Sequence, residues 1–364
     1  MPRISVLVVD DSAFMRKVIS EILSSDPAIE IMGTARDGRD AIAKAQHNRP
    51  DVVTLDVEMP VMDGIAALPI LCGELGIPVV MLSSQTQAGA DVTIRALSLG
   101  AVDFVRKPSG SISLDIAKVH DELIAKVKMA SRVARGRIME MAAGWPRGPK
   151  PGLLSMRQAQ PSGRAGTALG APPERAGCVV VIGTSTGGPR ALAEVIPALP
   201  PNLPAGVLVV QHMPAGFTRS LAERLNETSR LCVAEARGGE RVTAGSAYLA
   251  PGGRHLLVNG DATLALDEGP AVHGVRPAVD VTMRAAASVF GRNTVGVIMT
   301  GMGSDGAEAM EYIKQMGGTT ICEHESSCVV YGMPRSVAEK GAADRVVPLG
   351  QIADEIVDAV LTLA

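Results

Sequence analysis

Residues 4–12 read ISVLVVDDS: a short, mostly β-branched run closes on two carboxylates, Asp10 and Asp11. An apolar run without polar alternation marks a strand buried on both faces, as in a parallel sheet. Working outward, IEIMGTA (29–35), DVVTLD (51–56), PVVMLSS (78–84) and VDFV (102–105) read as four more strands. Helical spacing falls between them, near residues 14–25, 38–47, 64–74 and 88–99, with a fifth helix from about residue 112. Strand and helix alternating in this way predict a doubly wound α/β domain with a parallel sheet, whose ligands bind at the carboxyl edge.

That edge gathers chemistry. Asp10 and Asp11 end the first strand, Asp56 the third and Ser83 the fourth, and Lys107 follows the fifth. Three converging carboxylates repel one another, and a divalent cation relieves the repulsion. Mg²⁺ suits such a site because it takes a few carboxylates and leaves positions for water and phosphate oxygens. Asp56 can then attack a phosphoryl donor as a carboxylate nucleophile, with Ser83 and Lys107 binding the phosphoryl oxygens. Taken singly the residues have plainer uses; Asp11, just before a helix, also suits an N-cap.

A second constellation begins at residues 178–188, CVVVIGTSTGG. Gly183 to Gly187 satisfy G-x-S-x-G between a strand and a helix, the context that pattern needs. The flanking glycines predict a strained turn exposing Ser185, and the following helix offers backbone N–H groups and a positive dipole end. A phosphate loop is the rival reading, but no G-K-[ST] follows; the chain continues GGPRA. A serine nucleophile needs a base, and four histidines lie in this half: His212, His255, His273 and His324. His212 ends the strand VLVVQH, the next strand after Ser185, which favours it; His255 and His273 suit surface or packing roles. Asp305, in TGMGSDG after the strand NTVGVIMT, falls on the same edge and suits an orienting carboxylate, although a helix cap is its plainer use. The order Ser…His…Asp differs from the Ser…Asp…His of α/β-hydrolases, so the expectation is a convergent triad on another sheet.

The second half alternates strand and helix again, with short pieces and Gly turns between about Arg241 and Leu266 that predict a small antiparallel insertion of β-hairpins. The expected division is residues 1–127, with the last helix able to run on to about 143, then a Pro/Gly/Ala/Arg-rich linker at 144–177, then 178–364. Hydrophobic residues make up 46% of the 364, enough for full-sized cores. Aromatics at 2% and a net charge of −3 speak against surfaces built on base stacking or phosphate affinity. From Cys178 onward 14 Lys and Arg face 19 Asp and Glu, which excludes a DNA-binding output domain. Five cysteines without C-x-x-C spacing predict free thiols in a reducing cytosol. No apolar stretch reaches membrane-spanning length, so a cytoplasmic, monomeric protein is expected.

VVDDS, LDVEMPVMDG, MLSS and VRKP resemble the receiver domain of bacterial response regulators. The resemblance implies a flavodoxin-like fold, phosphorylation of Asp56, Mg²⁺ held by Asp10, Asp11, Asp56 and the backbone carbonyl of Glu58, and a conformational switch at Phe104. GTSTGG, QHMP, YLAPGGRHLL, RPAVDV, GMGSDG and VVYGMP are similar to the catalytic domain of the CheB family of chemotaxis protein-glutamate methylesterases. That resemblance implies Ser185 as nucleophile, His212 as general base and acid, Asp305 as orienter, and the backbone N–H groups of Thr186 and Met302 as oxyanion donors, with no cofactor in this site. The implied substrates are glutamate γ-methyl esters on methyl-accepting chemotaxis receptors, with methanol released, and receptor glutamines open to deamidation. The implied phosphoryl donor is a CheA-type histidine kinase; neither nucleic acid nor direct membrane insertion is implied. The order of the modules predicts that the unphosphorylated receiver covers the Ser185 cleft. The competing reading is an inactive esterase fold that serves only as a phosphorylation-dependent binding module.

Overall fold

The computed structural model describes residues 3–83, 86–107, 114–143 and 176–363; nearly all of the expected linker lies outside them. In the N-terminal half, β1 (Ile4–Val9), β2 (Ile29–Ala35), β3 (Val52–Asp56), β4 (Val79–Ser83) and β5 (Asp103–Arg106) form one parallel sheet in the order β2-β1-β3-β4-β5. Helices α1 (Ala13–Ser24), α2 (Gly38–Asn48), α3 (Gly64–Leu68), α4 (Gln87–Ser98) and α5 (Leu114–Ala130) cover its faces. Every residue of β3 and β4 is buried, which is why those strands read as unbroken apolar runs. Ser12 takes the N-cap of α1, its hydroxyl accepting the Met15 N–H at 3.4 Å, so that role does not fall to Asp11. Pro69 has no N–H to continue α3, and the chain widens into a single π turn over Pro69–Glu74, closed by Leu75 N–H on Ile70 O.

The fifth helix does not run on to residue 143. It ends at Ala130, where the Ser131 hydroxyl caps the Lys128 carbonyl at 2.9 Å and competes with the helix backbone. After a turn, the separate helix α6 (Arg135–Ala143) packs back on the π turn.

The C-terminal half is built on seven parallel strands: β6 (Cys178–Thr184), β7 (Ala205–Gln211), β8 (Cys232–Glu235), β9 (Ser246–Leu249), β12 (Thr294–Ile298), β13 (Thr319–Glu323) and β14 (Arg345–Val347), in the order β14-β13-β12-β6-β7-β9-β8. The antiparallel insertion is smaller than the turns suggested. Within it, β10 (His255–Val258) and β11 (Leu264–Asp267) pair as an antiparallel hairpin, while β9 joins the main sheet in parallel with β7 and β8. Alternate burial along β9 mimics hairpin patterning because the strand lies near the sheet edge. Helices α7 (Gly188–Ala198), α8 (Phe217–Thr228), α9 (Val279–Phe290), α10 (Ala307–Gln315), α11 (Met333–Glu339) and α12 (Leu349–Leu363) cover the sheet. β6, β7 and β12 are buried at every position, so truncating a central residue such as Ile182 to Ala would cost about 2–5 kcal/mol.

The two halves meet along α4, which packs against α7 and α8. Phe104 of β5 stacks on Phe217, the first residue of α8, with centroids 4.6 Å apart and planes 21° from parallel. This contact brings the β5 edge of the first sheet to the carboxyl edge of the second.

Candidate functional site

At the first carboxyl edge, ligand oxygens of Asp10, Asp11 and Asp56 lie within 4.8 Å of one another. Lys107 Nζ sits between two of them, 2.8 Å from Asp10 Oδ2 and 2.7 Å from Asp56 Oδ2. Burial drives the Asp56 pKa up to about 6, against the opposing pull of Lys107, and the nearby Asp10 charge adds to the rise. Burial also works against the Lys107 ammonium, but hydrogen bonds to Asp10 and Asp56 outweigh it and raise its pKa. Hard oxygen donors at this spacing fit Mg²⁺. The Glu58 carbonyl accepts no hydrogen bond among the described residues, so it is open to a ligand. Ser83 is buried, and its hydroxyl faces α4, 2.6 Å from Thr93 Oγ1 and 3.3 Å from Gly89 O. Phe104 is buried against Phe217.

At the second edge, Thr184 pairs in register with Gln211, so Ser185 and His212 leave neighbouring strand ends. The His212 N–H bonds Thr184 O at 3.1 Å. Gln211, buried between them, accepts the Thr184 hydroxyl at 2.7 Å and donates to Ser185 O (2.9 Å) and His212 O (3.1 Å). Gly187, one of the glycines flanking Ser185, takes the left-handed backbone of the turn at φ 79°, while Ser185 itself is half-buried. A Cβ at Gly187 would lie 2.6 Å from Val329 Cβ. Gly301 approaches from the side, where a Cβ would come within 2.8 Å of Ser185 Cβ.

His212 Nε2 lies 2.7 Å from Asp305 Oδ2. Asp305 is buried and also accepts Val279 N–H (2.7 Å) and Asp280 N–H (2.9 Å) at the start of α9. Burial pushes its carboxyl up, but the His212 hydrogen bond and charge, with the two backbone donors, leave its pKa below the ordinary value. Because an ionised Asp305 only accepts, Nε2 carries a proton, and in the neutral imidazole that tautomer leaves Nδ1 as the acceptor. In the chymotrypsin arrangement Nδ1–H faces the aspartate instead. Among the described residues no hydrogen bond occupies Ser185 Oγ or His212 Nδ1, and neither the Thr186 nor the Met302 N–H donates. Met302 is 44% exposed at the rim, on a loop zipped to its neighbour by Gly301 N–H on Val330 O and Met333 N–H on Gly301 O. His255 is buried, contacting Pro270 O and accepting the Ala278 N–H; His273 pairs with Asp280 at 2.8 Å.

Sequence reasoning missed the residues that bridge the halves. The Thr186 hydroxyl donates to Asp103 Oδ2 at 2.5 Å. Lys126 Nζ, on α5, bonds Asp103 Oδ1 (3.1 Å) and Phe104 O (2.6 Å) and lies 5.1 Å from the centre of the Phe104 ring. Asp103 in VDFV and Gln211 in QHMP were visible as polar residues at buried strand ends, a signal that points to a partner.

Two parallel sheets, one with an acidic carboxyl edge and one with serine, histidine and aspartate at its own, define a response regulator whose output half is a hydrolase. The response regulator receiver domain model matches residues 6–117, and the CheB methylesterase model matches residues 180–356. A protein-glutamate methylesterase/protein-glutamine glutaminase of Symbiobacterium thermophilum is 54% identical over 98% of this chain and 97% of its own. The Pyrococcus horikoshii protein of the same name is 48% identical over 98% of this chain and 94% of its own. The crystal structure of the Thermotoga maritima CheB methylesterase catalytic domain, 48% identical, covers 50% of this chain and 97% of that one with a TM-score of 0.49. The chain belongs to the CheB methylesterase family. Among the described residues no helix is long and apolar enough to cross a membrane.

Proposed function

We propose that the chain hydrolyses glutamate γ-methyl esters on chemotaxis receptors, releasing methanol, and deamidates receptor glutamines, under control of phosphorylation at Asp56. The observation that carries this reading is the His212–Asp305 bond of 2.7 Å beside the Ser185 turn. Ser185 Oγ attacks the ester carbonyl while His212 Nδ1 takes its proton. The Thr186 and Met302 N–H groups stabilise the developing oxyanion. His212 returns the proton to the leaving methoxide oxygen, releasing methanol, or to the departing amide nitrogen, releasing ammonia, and then activates the water that frees the acyl group. Asp305 holds the tautomer and the imidazolium charge.

In the receiver, Asp10, Asp11, Asp56 and the Glu58 carbonyl would hold Mg²⁺, which supplies charge neutralisation for phosphoryl transfer. A histidine kinase of the CheA type is the proposed donor. A phosphoryl group on Asp56 would draw Lys107 and the Ser83 hydroxyl towards it, removing Ser83 from Thr93 and loosening the β5 edge that holds Phe104 against Phe217 and Asp103 against Thr186. The division into receiver (1–127), linker (144–177) and catalytic domain (178–364) is part of this reading, with α6 leading into the linker.

The test is methanol release from membranes bearing methylated receptors, before and after acetyl phosphate with Mg²⁺. Release that rises on phosphorylation is expected. Steady basal release would reject the control, and none in either state would reject the esterase.

A further inference from the structure

Behind Asp305 lies a second histidine–aspartate pair with its own geometry. Asp305 stands just before α10 yet caps α9, accepting the N–H groups of Val279 and Asp280. Asp280, the second residue of α9, caps α10 in return, its Oδ1 accepting the Ala309 N–H at 2.7 Å. Neither helix has a side-chain cap from its own N-cap residue, which is Ala278 for α9 and Gly306 for α10. Each helix therefore depends on the carboxylate of the other, and the position of Asp305 is fixed by both.

His273 completes the arrangement. It occupies a tight hairpin closed by reciprocal hydrogen bonds between Val272 and Val275 (3.1 and 3.0 Å), with φ 53° at His273 and 77° at Gly274. A non-glycine residue held at positive φ costs energy and persists where its surroundings over-determine it. Here the turn presents Nε2 to Asp280 Oδ2 at 2.8 Å. Atoms of His273, Asp280 and Asp305 lie within 4.8 Å of one another, a spacing that a cation can bridge. Both oxygens of each carboxylate already accept a hydrogen bond, however, so the cluster is closed as a network. Burial, with the Asp305 charge close by, raises the Asp280 pKa, which makes its hydrogen-bond partners necessary to it.

We propose that Asp280 and His273 are positioning residues for the reaction: Asp280 fixes Asp305, and through it His212, by the exchange of helix caps, and His273 locks Asp280. The inference rests on the reading of Asp305 as the orienter of His212. A displacement of about 1 Å in such a group lowers turnover by about 100-fold.

The test uses the full chain with acetyl phosphate and Mg²⁺, following methanol release from methylated receptor membranes, together with the proton resonance of His212 Nε2–H. Asp280→Ala is expected to lower kcat by about 100-fold with KM within about twofold, and to shift or broaden that resonance. In Asp280→Asn the amide oxygen can still accept the Ala309 N–H, so kcat should recover to within about fivefold of wild type. His273→Ala, at an exposed position, carries the test if Asp280→Ala fails to fold; a loss of about tenfold with a moved resonance is expected. Folded Asp280→Ala or His273→Ala proteins with unchanged kcat and an unmoved resonance would overturn the proposal. So would a lowered melting temperature as the only change. Ser185→Ala and Asp305→Ala separate the two levels: if either keeps the wild-type rate, the triad itself fails. If both abolish release while Asp280→Ala and His273→Ala are silent, only the positioning role fails.

Discussion

Thr186, the residue after Ser185, donates its hydroxyl to Asp103 Oδ2 at 2.5 Å across the junction of the two halves. Both groups are buried, and a hydrogen bond to a charged acceptor in such a place contributes about 1.5–3 kcal/mol. The same residue carries one of the two proposed oxyanion N–H groups, so the receiver holds the reacting turn directly. Thr186→Val keeps the shape and removes the donor. We expect about tenfold higher methanol release without phosphodonor, and a correspondingly smaller stimulation by acetyl phosphate. Basal release that stays at the wild-type level would show that this contact does not restrain the site.

The Phe104–Phe217 stack is a separate strut in the same junction. Aromatic pairs of this kind are worth about 0.5–1.5 kcal/mol beyond the area they bury. A double-mutant cycle on basal release, with Phe104→Ala, Phe217→Ala and the pair, should therefore show a coupling of that size. Each single variant should raise basal release. Additive effects would mean that the rings act through their own domains rather than against each other.

The strand ends were legible because the central strands of a parallel sheet are buried on both faces, so a charged or hydrogen-bonding residue where such an apolar run stops is conspicuous. That is how Asp10, Asp56, Ser83, His212 and Asp305 stood out. Helix α9 was also legible in principle, since Val279, Met283, Ala286, Ala287 and Phe290 repeat at helical spacing. The same run carries the motif RPAVDV, and neither the spacing nor the motif assigns Asp280 a role. Its bond to Ala309 spans 29 residues, and Thr186 to Asp103 spans 83. Contacts of that range leave no local pattern in a sequence. They appear only when packing brings two strand or helix ends together. The turn at Ser185 was legible from its flanking glycines, and Gly187 takes the left-handed backbone.

The bond from His212 Nε2 to Asp305 fixes one tautomer, so Asp305→Asn should damage turnover far more than folding. An asparagine offers one acceptor where the carboxylate offers two, and its amide cannot stabilise the imidazolium. By analogy with the serine-protease triad, kcat is expected to fall about 10³–10⁴-fold. Phosphorylation of Asp56 by acetyl phosphate should be unchanged, as read by ³²P incorporation. Ser185→Ala should lose release while still accepting phosphate. A Ser185→Ala protein hydrolysing at the wild-type rate would reject the nucleophile.

Asp56, the proposed phosphoacceptor, links pH to stability through its pKa, raised from 3.8 to about 6 chiefly by burial. With a raised carboxyl pKa the folded state binds its proton more tightly than the unfolded chain does. Stability is therefore lost as pH climbs from about 3.8 to about 6, by up to about 3 kcal/mol at 1.4 kcal/mol per pKa unit. Asp56→Asn has no such charge to form. Without divalent cation, the variant should unfold at higher urea than wild type above pH 6, by about 1–3 kcal/mol, and the difference should vanish near pH 4. Mg²⁺ should stabilise wild type, because the cation relieves the repulsion between Asp56 and Asp10, and should do much less for Asp56→Asn. The measurement is the receiver's urea transition at pH 4, 6 and 8 with and without Mg²⁺. Equal midpoints for the two proteins at pH 8 without cation would mean that Lys107, 2.7 Å from Asp56, already compensates the buried charge in full.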